Sequence, residues 1–120
     1  MTAEFEEVFA ALKAVMKKHE RTLFVLKDEP GEYTLVTKSN SNRGMKMWFG
    51  AVRAGKAYVS YHLMPLYFNP AMNAQVPPSL KKRMQGKTCF NFNTIDKELF
   101  AELKTLTQAG LEDWRKRELL

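Results

Sequence analysis

No carboxylate side chain occurs between Glu32 and Asp96, although acidic residues are common on either side. Cysteine is almost absent as well: Cys89 stands alone, which excludes an internal disulfide and a spaced thiolate metal motif. No apolar run approaches the roughly 20 residues that a membrane-spanning helix needs. The first residues, MTAEFEEVF, are acidic where a secretory or mitochondrial leader is basic. Internal repeats, low-complexity tracts and domain linkers are lacking too. These absences lead to the expectation of a cytoplasmic domain with no membrane partner, and they call for neither a cofactor nor a metal.

What is present fits one folded domain over residues 1–120, with 45% hydrophobic and 27% charged residues. The net charge is +6, and it is unevenly spread. Nine basic residues lie in the carboxylate-free stretch: Lys38, Arg43, Lys46, Arg53, Lys56, Lys81, Lys82, Arg83 and Lys87. The remainder holds ten basic and thirteen acidic residues, so the middle is strongly positive and the ends mildly negative. Such asymmetry suits an anionic partner: a small anionic ligand, a nucleic acid or an acidic protein. A simpler reading is that the acidic ends pack beside the basic middle and neutralise it.

Residues 3–20 carry helical periodicity, with Phe5, Val8, Phe9, Leu12, Val15 and Met16 on one face. Thr2 is the expected N-cap. Glu4, Glu6 and Glu7 open the helix, and Lys13, Lys17, Lys18 and Arg21 gather toward its end, as the helix dipole favours. That preference accounts for the glutamates without a metal, and it makes His19 a partner of the C-terminal dipole. Residues 22–27 and 33–38 are β-rich and flank Asp28-Glu29-Pro30-Gly31, a hairpin signal. A polar loop over residues 39–44 follows, with Gly44 as the expected site of an unusual backbone conformation.

Residues 44–67, GMKMWFGAVRAGKAYVSYHLMPLY, read as a second hairpin turning at Ala54-Gly55. A two-residue loop there pairs Arg53 with Lys56 and fixes the faces. Lys46, Trp48, Gly50, Val52, Ala57, Val59, Tyr61 and Leu63 share the better core face. Met45, Met47, Phe49, Ala51, Arg53, Lys56, Tyr58, Ser60, His62 and Met64 share the other. A four-residue loop keeps this division and a three-residue loop reverses it. Pro65 ends the strand, and residues 66–76 read as irregular, with Asn69-Pro70 marking a turn or helix start. Ser79 is the expected cap of a short helix over residues 80–85 that stops at Gly86. Residues 87–92 alternate as a further strand, with Thr88, Phe90 and Phe92 opposite Cys89 and Asn91. From Thr94 or Asp96 a closing helix runs on an apolar stripe of Leu99, Phe100, Leu103, Leu106, Leu111 and Trp114, weakened at Gly110 by about 1 kcal/mol relative to alanine. The fold class expected is therefore α+β, an antiparallel sheet of about five strands flanked by N-terminal and C-terminal helices.

The runs Trp48-Phe49-Gly50 and Gly55-Lys56-Ala57-Tyr58-Val59-Ser60, then Pro65, Pro78-Ser79-Leu80, Gly86-Lys87-Thr88 with Phe90, and a closing helix form a pattern. It resembles the YdhG/YdeI-like bacterial domain family over about residues 44–117. The resemblance implies a YdhG-like α+β fold, in a family mostly without assigned function. A hairpin stands where that family has more helix leading to a Gly-Met-Pro-like segment, of which Gly44-Met45 remains. Some members are proposed as frataxin-like iron chaperones. That role does not carry over, because hard iron sites want carboxylates and residues 44–95 contain none.

Candidate chemistry is sparse. His62 shares a strand face with Ser60 and Tyr58, but no acid lies nearby to orient the imidazole for a Ser-His mechanism. Cys89, among Phe and Asn neighbours, reads as a buried thiol, with Lys87 as the one feature able to activate it. Gly86-Lys87-Thr88 fails as a phosphate loop, since Lys81 occupies the first glycine position and a strand follows. Lys56-Ala57-Tyr58 opens like the octamer of single-stranded RNA binders, and Val59-Ser60-Tyr61 departs from it. The reading that best fits is non-catalytic binding of an anionic ligand or acidic partner. Its candidate residues are Met47, Phe49, Arg53, Lys56, Tyr58, Ser60, His62, Lys81, Lys82, Arg83 and Lys87. Two alternatives accompany it: a homodimer that buries the half-apolar face, and an enzyme using His62 or Cys89.

Overall fold

The computed structural model describes residues 2–38 and 46–120, so the polar loop over 39–44 and the conformation of Gly44 lie outside the described residues. Helix α1 (Ala3–Lys17) begins on Thr2, whose Oγ1 accepts a hydrogen bond from the Phe5 amide at 3.1 Å. It buries Val8, Phe9, Leu12 and Met16 on the face set by their spacing. Strands β1 (Phe24–Glu29) and β2 (Glu32–Val36) follow, joined by Pro30-Gly31 with Gly31 at φ +85°, a conformation glycine adopts without a Cβ clash. Leu26 makes a bulge in β1 where it pairs with β2.

The second hairpin corrects the expected register. Strand β3 (Trp48–Ala54) pairs with β4 (Val59–Leu63) as Arg53 with Ser60 and Ala54 with Val59, so the loop is the four residues 55–58 rather than Ala54-Gly55. The Gly55 amide closes it on the Tyr58 carbonyl at 2.9 Å. The partner of Arg53 moves by four residues, from Lys56 to Ser60, which is two whole strand periods and leaves the faces of residues 50–54 and 59–63 as expected. Ala57, expected in the core, is exposed in the loop. The start of β3 does not follow. Its pairing with β2 passes from Leu35 with Gly50 to Val36 with Trp48, leaving Phe49 as the extra residue of a bulge. Phe49 therefore turns inward and is fully buried edge-on against Trp114, at 5.5 Å between ring centroids. Met47 is buried too, whereas Trp48, expected in the core, is 36% exposed. Met47 and Phe49 are core residues and not lining of an open face.

After β4 come short helices α2 (Pro65–Phe68), α3 (Pro70–Ala74) and α4 (Pro78–Lys81). Residues 66–76 are thus ordered by proline-initiated turns, and the Asn69 carboxamide caps α3 by accepting from the Ala71 and Met72 amides. Ser79 lies inside α4, and the segment expected to finish that helix is instead β5 (Met84–Gln85). Gly86, at φ +73°, turns the chain toward β6 (Cys89–Phe92). Helix α5 (Lys97–Lys116) starts on Asp96, whose carboxylate accepts from the Leu99 amide at 3.1 Å. The sheet has six antiparallel strands in the order β1-β2-β3-β4-β6-β5, one more than expected.

One face of this sheet supplies the core. Tyr33, Leu35, Val52, Val59, Tyr61, Leu63, Phe90 and Phe92 meet the buried stripes of α1 and α5. The Tyr61 and Thr107 hydroxyls are hydrogen-bonded inside it, and burial raises the Tyr61 pKa well above the ordinary phenol range. Trp114 sits edge-on between Phe49 and Phe68, and among the described residues its buried Nε1 has no acceptor. Two glycines set how closely the layers approach. A Cβ on Gly50 would lie 2.6 Å from Met16 Cε and 2.7 Å from the His62 carbonyl oxygen. One on Gly110 would lie 3.0 Å from Cβ and Cγ of the Pro65 ring.

Gly50→Ala is expected to lower stability by about 2–3 kcal/mol, because a backbone carbonyl cannot yield as a side chain can. A chemical-denaturation midpoint equal to that of the native protein contradicts this contact. Gly110→Ala tests the opposite balance. Helix propensity alone favours alanine by about 1 kcal/mol, but the rigid proline ring offsets that gain. The expected denaturation midpoint is at or below the native value, and a rise worth the full propensity gain contradicts the packing role.

Candidate binding face

The sheet face turned away from α1 and α5 carries three rows of side chains. Phe24, Val36 and Trp48 form the first, by pairing across β1, β2 and β3. Lys27, Thr34, Ala51, His62, Cys89 and Gln85 form the second, across all six strands. Glu29, Glu32, Arg53, Ser60 and Asn91 form the third, across β1, β2, β3, β4 and β6. Two exposed rings already hold cations: Lys46 Nζ lies 3.7 Å from the Phe24 centroid, and the Arg53 guanidinium lies 4.9 Å from that of Trp48. Ala51, between Trp48 and Arg53 along β3, is completely buried.

Toward β5 the face becomes polar and connected. The Tyr58 hydroxyl donates to Gln85 Oε1 at 3.2 Å, and Asn91 Nδ2 donates to the same oxygen at 2.9 Å. Asn91 Oδ1 accepts from the Ser60 hydroxyl at 3.0 Å and from the Cys89 thiol at 3.3 Å. His62 Nε2 lies 3.8 Å from Cys89 Sγ. Burial pushes the His62 pKa below its ordinary value, assisted by the Arg53 charge. Burial also pushes the Cys89 thiol up, against a smaller opposing effect of Ser60. At neutral pH the pair is thus a neutral imidazole beside a neutral thiol, the reverse of an activated thiolate–imidazolium couple. Ser60 spends its proton on Asn91 and not on His62. The arrangement can hold and orient a ligand; it lacks an activated nucleophile.

Of the residues singled out from the sequence, the fold brings Arg53, Ser60 and His62 onto this face, with Tyr58 at its edge. Tyr58, Lys82 and Arg83 line a concavity of about 340 Å³ together with Met84, Gln85, Asn91, Phe92 and Asn93. Lys81 is exposed at the end of α4. Lys56 belongs elsewhere, beside Thr2 and Phe5 at the start of α1, and Lys87 lies near the Tyr67 ring on the helical side. Phe24, Lys46, Trp48, Gln85 and Asn91 were missed. The alternation of residues 87–92 already set Asn91 apart from the core phenylalanines; Trp48 was hidden by the bulge, and Phe24 by the position of β1 at the sheet edge. His19 also differs from expectation. It follows the helix end, is buried, and has a pKa lowered first by burial and then by Lys18, so it is not a charged dipole partner.

Among the described residues, no close ion pair joins a carboxylate of α1 or α5 to a cation of the carboxylate-free stretch. The ion pairs among the described residues are Lys13–Asp28, Lys27–Glu32, Arg53–Glu32, Arg115–Glu112 and Arg117–Asp113. Only Arg53 from the carboxylate-free stretch takes part, at 3.9 Å. Among the described residues no helix is long and apolar enough to cross a membrane, and no group of three or more metal-ligating His, Cys, Asp or Glu side chains occurs. No family model, curated protein or solved structure matches the chain.

The histidines give the fold a pH dependence. Both His62 and His19 have lowered pKa values in the folded protein, so the unfolded chain takes up protons first as pH falls through about 6.5. Stability is expected to be full above that pH and to decline toward pH 5.5, with a shallower decline in His62→Gln. Denaturation midpoints across this range check the sign, and a rise in stability on acidification contradicts it.

Proposed function

We propose that the protein is a non-catalytic binding module for single-stranded nucleic acid, held on the outer sheet face. The observation that carries this reading is the coincidence of exposed rings with cations. Trp48 and Phe24 are exposed rings, each with a cation, Arg53 and Lys46 respectively, over one face, and Lys82 and Arg83 line the concavity beyond them. A single strand needs that combination, since its bases stack on aromatic rings and its phosphates follow positive charge. Duplexes hide their bases and gain nothing from the rings. An acidic protein would use the charge but not the flat rings. Self-association loses its main support, because Met47 and Phe49, the apolar part of the expected interface, point into the core. A lone unpaired cysteine suits a reducing compartment, and we place the activity in the cytoplasm.

Trp48 reports on this reading directly. In a Trp114→Phe background its fluorescence is expected to be quenched by a short single-stranded oligonucleotide and little affected by a duplex of the same length. Four phosphate contacts set the salt dependence at a slope of about −3 in log affinity against log salt. Quenching that is absent, or equal for the duplex, contradicts single-strand binding, as does affinity independent of salt.

A further inference from the structure

We infer that the concavity between the Tyr58 loop and β5 is a site for one nucleotide unit, a planar hydrogen-bonding base joined to a phosphate. This rests on the reading of the outer face given above and says where on that face a base is read. The site combines three features. Tyr58 is 37% exposed, and its hydroxyl is tied to Gln85 Oε1, so the ring is presented in one orientation. Asn91 is held through both ends of its carboxamide, by Gln85 on one side and by Ser60 and Cys89 on the other. Gln85 Oε1 takes both donors, Tyr58 and Asn91, which leaves the Gln85 amide NH2 to donate outward. Lys82 and Arg83 supply positive charge in the same wall, and no carboxylate lines it.

These features divide the work between the two halves of a nucleotide. Tyr58 provides the stacking surface, and the Gln85 and Asn93 carboxamides provide donors and acceptors at the edge of a base. Arg83 and Lys82 receive the phosphate. The volume, about 340 Å³, lies at the small end of ligand sites, which fits one nucleotide and not several. The groove of about 410 Å³ between α3 and α5 is lined largely by Ala71, Met72, Pro77, Leu106 and Ala109 and has no cation, so it does not compete for the phosphate. From β3 to β5 is three inter-strand spacings, roughly 14 Å across the sheet, and Trp48 stands two rows from Asn91, roughly 13 Å along the strands. A strand held on Trp48 therefore reaches this site within a few nucleotides.

Calorimetric and NMR titration with adenosine 5′-monophosphate, ribose 5-phosphate and a hexaglutamate peptide tests the assignment. Adenosine 5′-monophosphate is expected to shift Tyr58, Gln85, Asn91 and Asn93, and to bind about tenfold more tightly than ribose 5-phosphate through stacking. Tyr58→Ala and Arg83→Gln are each expected to weaken it about tenfold. Lys56→Gln removes the same charge as Arg83→Gln at a distant position and is expected to leave it unchanged. Equal affinity for ribose 5-phosphate means that the base is not read, and equal affinity for hexaglutamate means that charge alone acts; either overturns the inference. An oligonucleotide that quenches Trp48 while adenosine 5′-monophosphate leaves the concavity unshifted overturns this site and spares single-strand binding. Absence of both effects overturns the two together.

Discussion

Close approach of α1 to the sheet at Gly50 is the constraint on which the architecture depends. Met16 occupies the space that any side chain at Gly50 would need, and the His62 carbonyl closes the other side. The helix can press this near only because the strand offers bare backbone there. Once α1 is seated, α5 completes the same layer through Phe49–Trp114, Phe92–Phe100 and Tyr61–Thr107. Apolar burial is thereby concentrated on one side of the sheet, and the opposite face is left to other side chains.

Charge follows from that division. The acidic residues Glu4, Glu6 and Glu7 ride on α1, and Glu98, Glu102, Glu112 and Asp113 ride on α5, both on the helical side. Sequence segregation of charge becomes spatial segregation in part: Lys46, Arg53, Lys82 and Arg83 lie on or beside the outer face, while Lys56 and Lys87 lie on the helical side. Two carboxylates share the outer face: Glu29 on β1 and, opposite it, Glu32 between Lys27 and Arg53. An exposed pair of this kind contributes little to stability and is screened by salt. The edge strand β1 is protected in the usual ways, by the bulge at Leu26 and by the run Lys27-Asp28-Glu29, which discourages pairing with another sheet.

Much of this was legible in the sequence where one physical rule acts alone. Helix periodicity and caps gave α1 and α5, since Thr2 and Asp96 both cap as their residue types suggest. Division of residues 50–54 and 59–63 between two faces survived an error of two residues in the hairpin loop, because strand side chains repeat every two positions. Legibility failed where tertiary contacts override local pattern. Phe49 and Trp48 exchanged sides through a bulge, and nothing in the run Met47-Trp48-Phe49 marks which ring is the extra residue. Gly110 looked like a weak point in a helix and is a packing surface for Pro65. A strand of two residues, β5, is too short to carry periodicity, yet it builds one wall of the concavity. The candidate site was legible as charge and as rings, but its membership depended on the bulge at Phe49 and on β5.

The most direct test of the account is paramagnetic relaxation from a short single-stranded oligonucleotide carrying a nitroxide at one end. Signals of the Trp48 indole and of the Asn91 and Gln85 carboxamides are expected to broaden, while exposed residues of α1 and α5 keep their intensity. Broadening centred on α5, or spread evenly over both sides of the sheet, would contradict the claim that the helix-free face is where this protein meets its ligand.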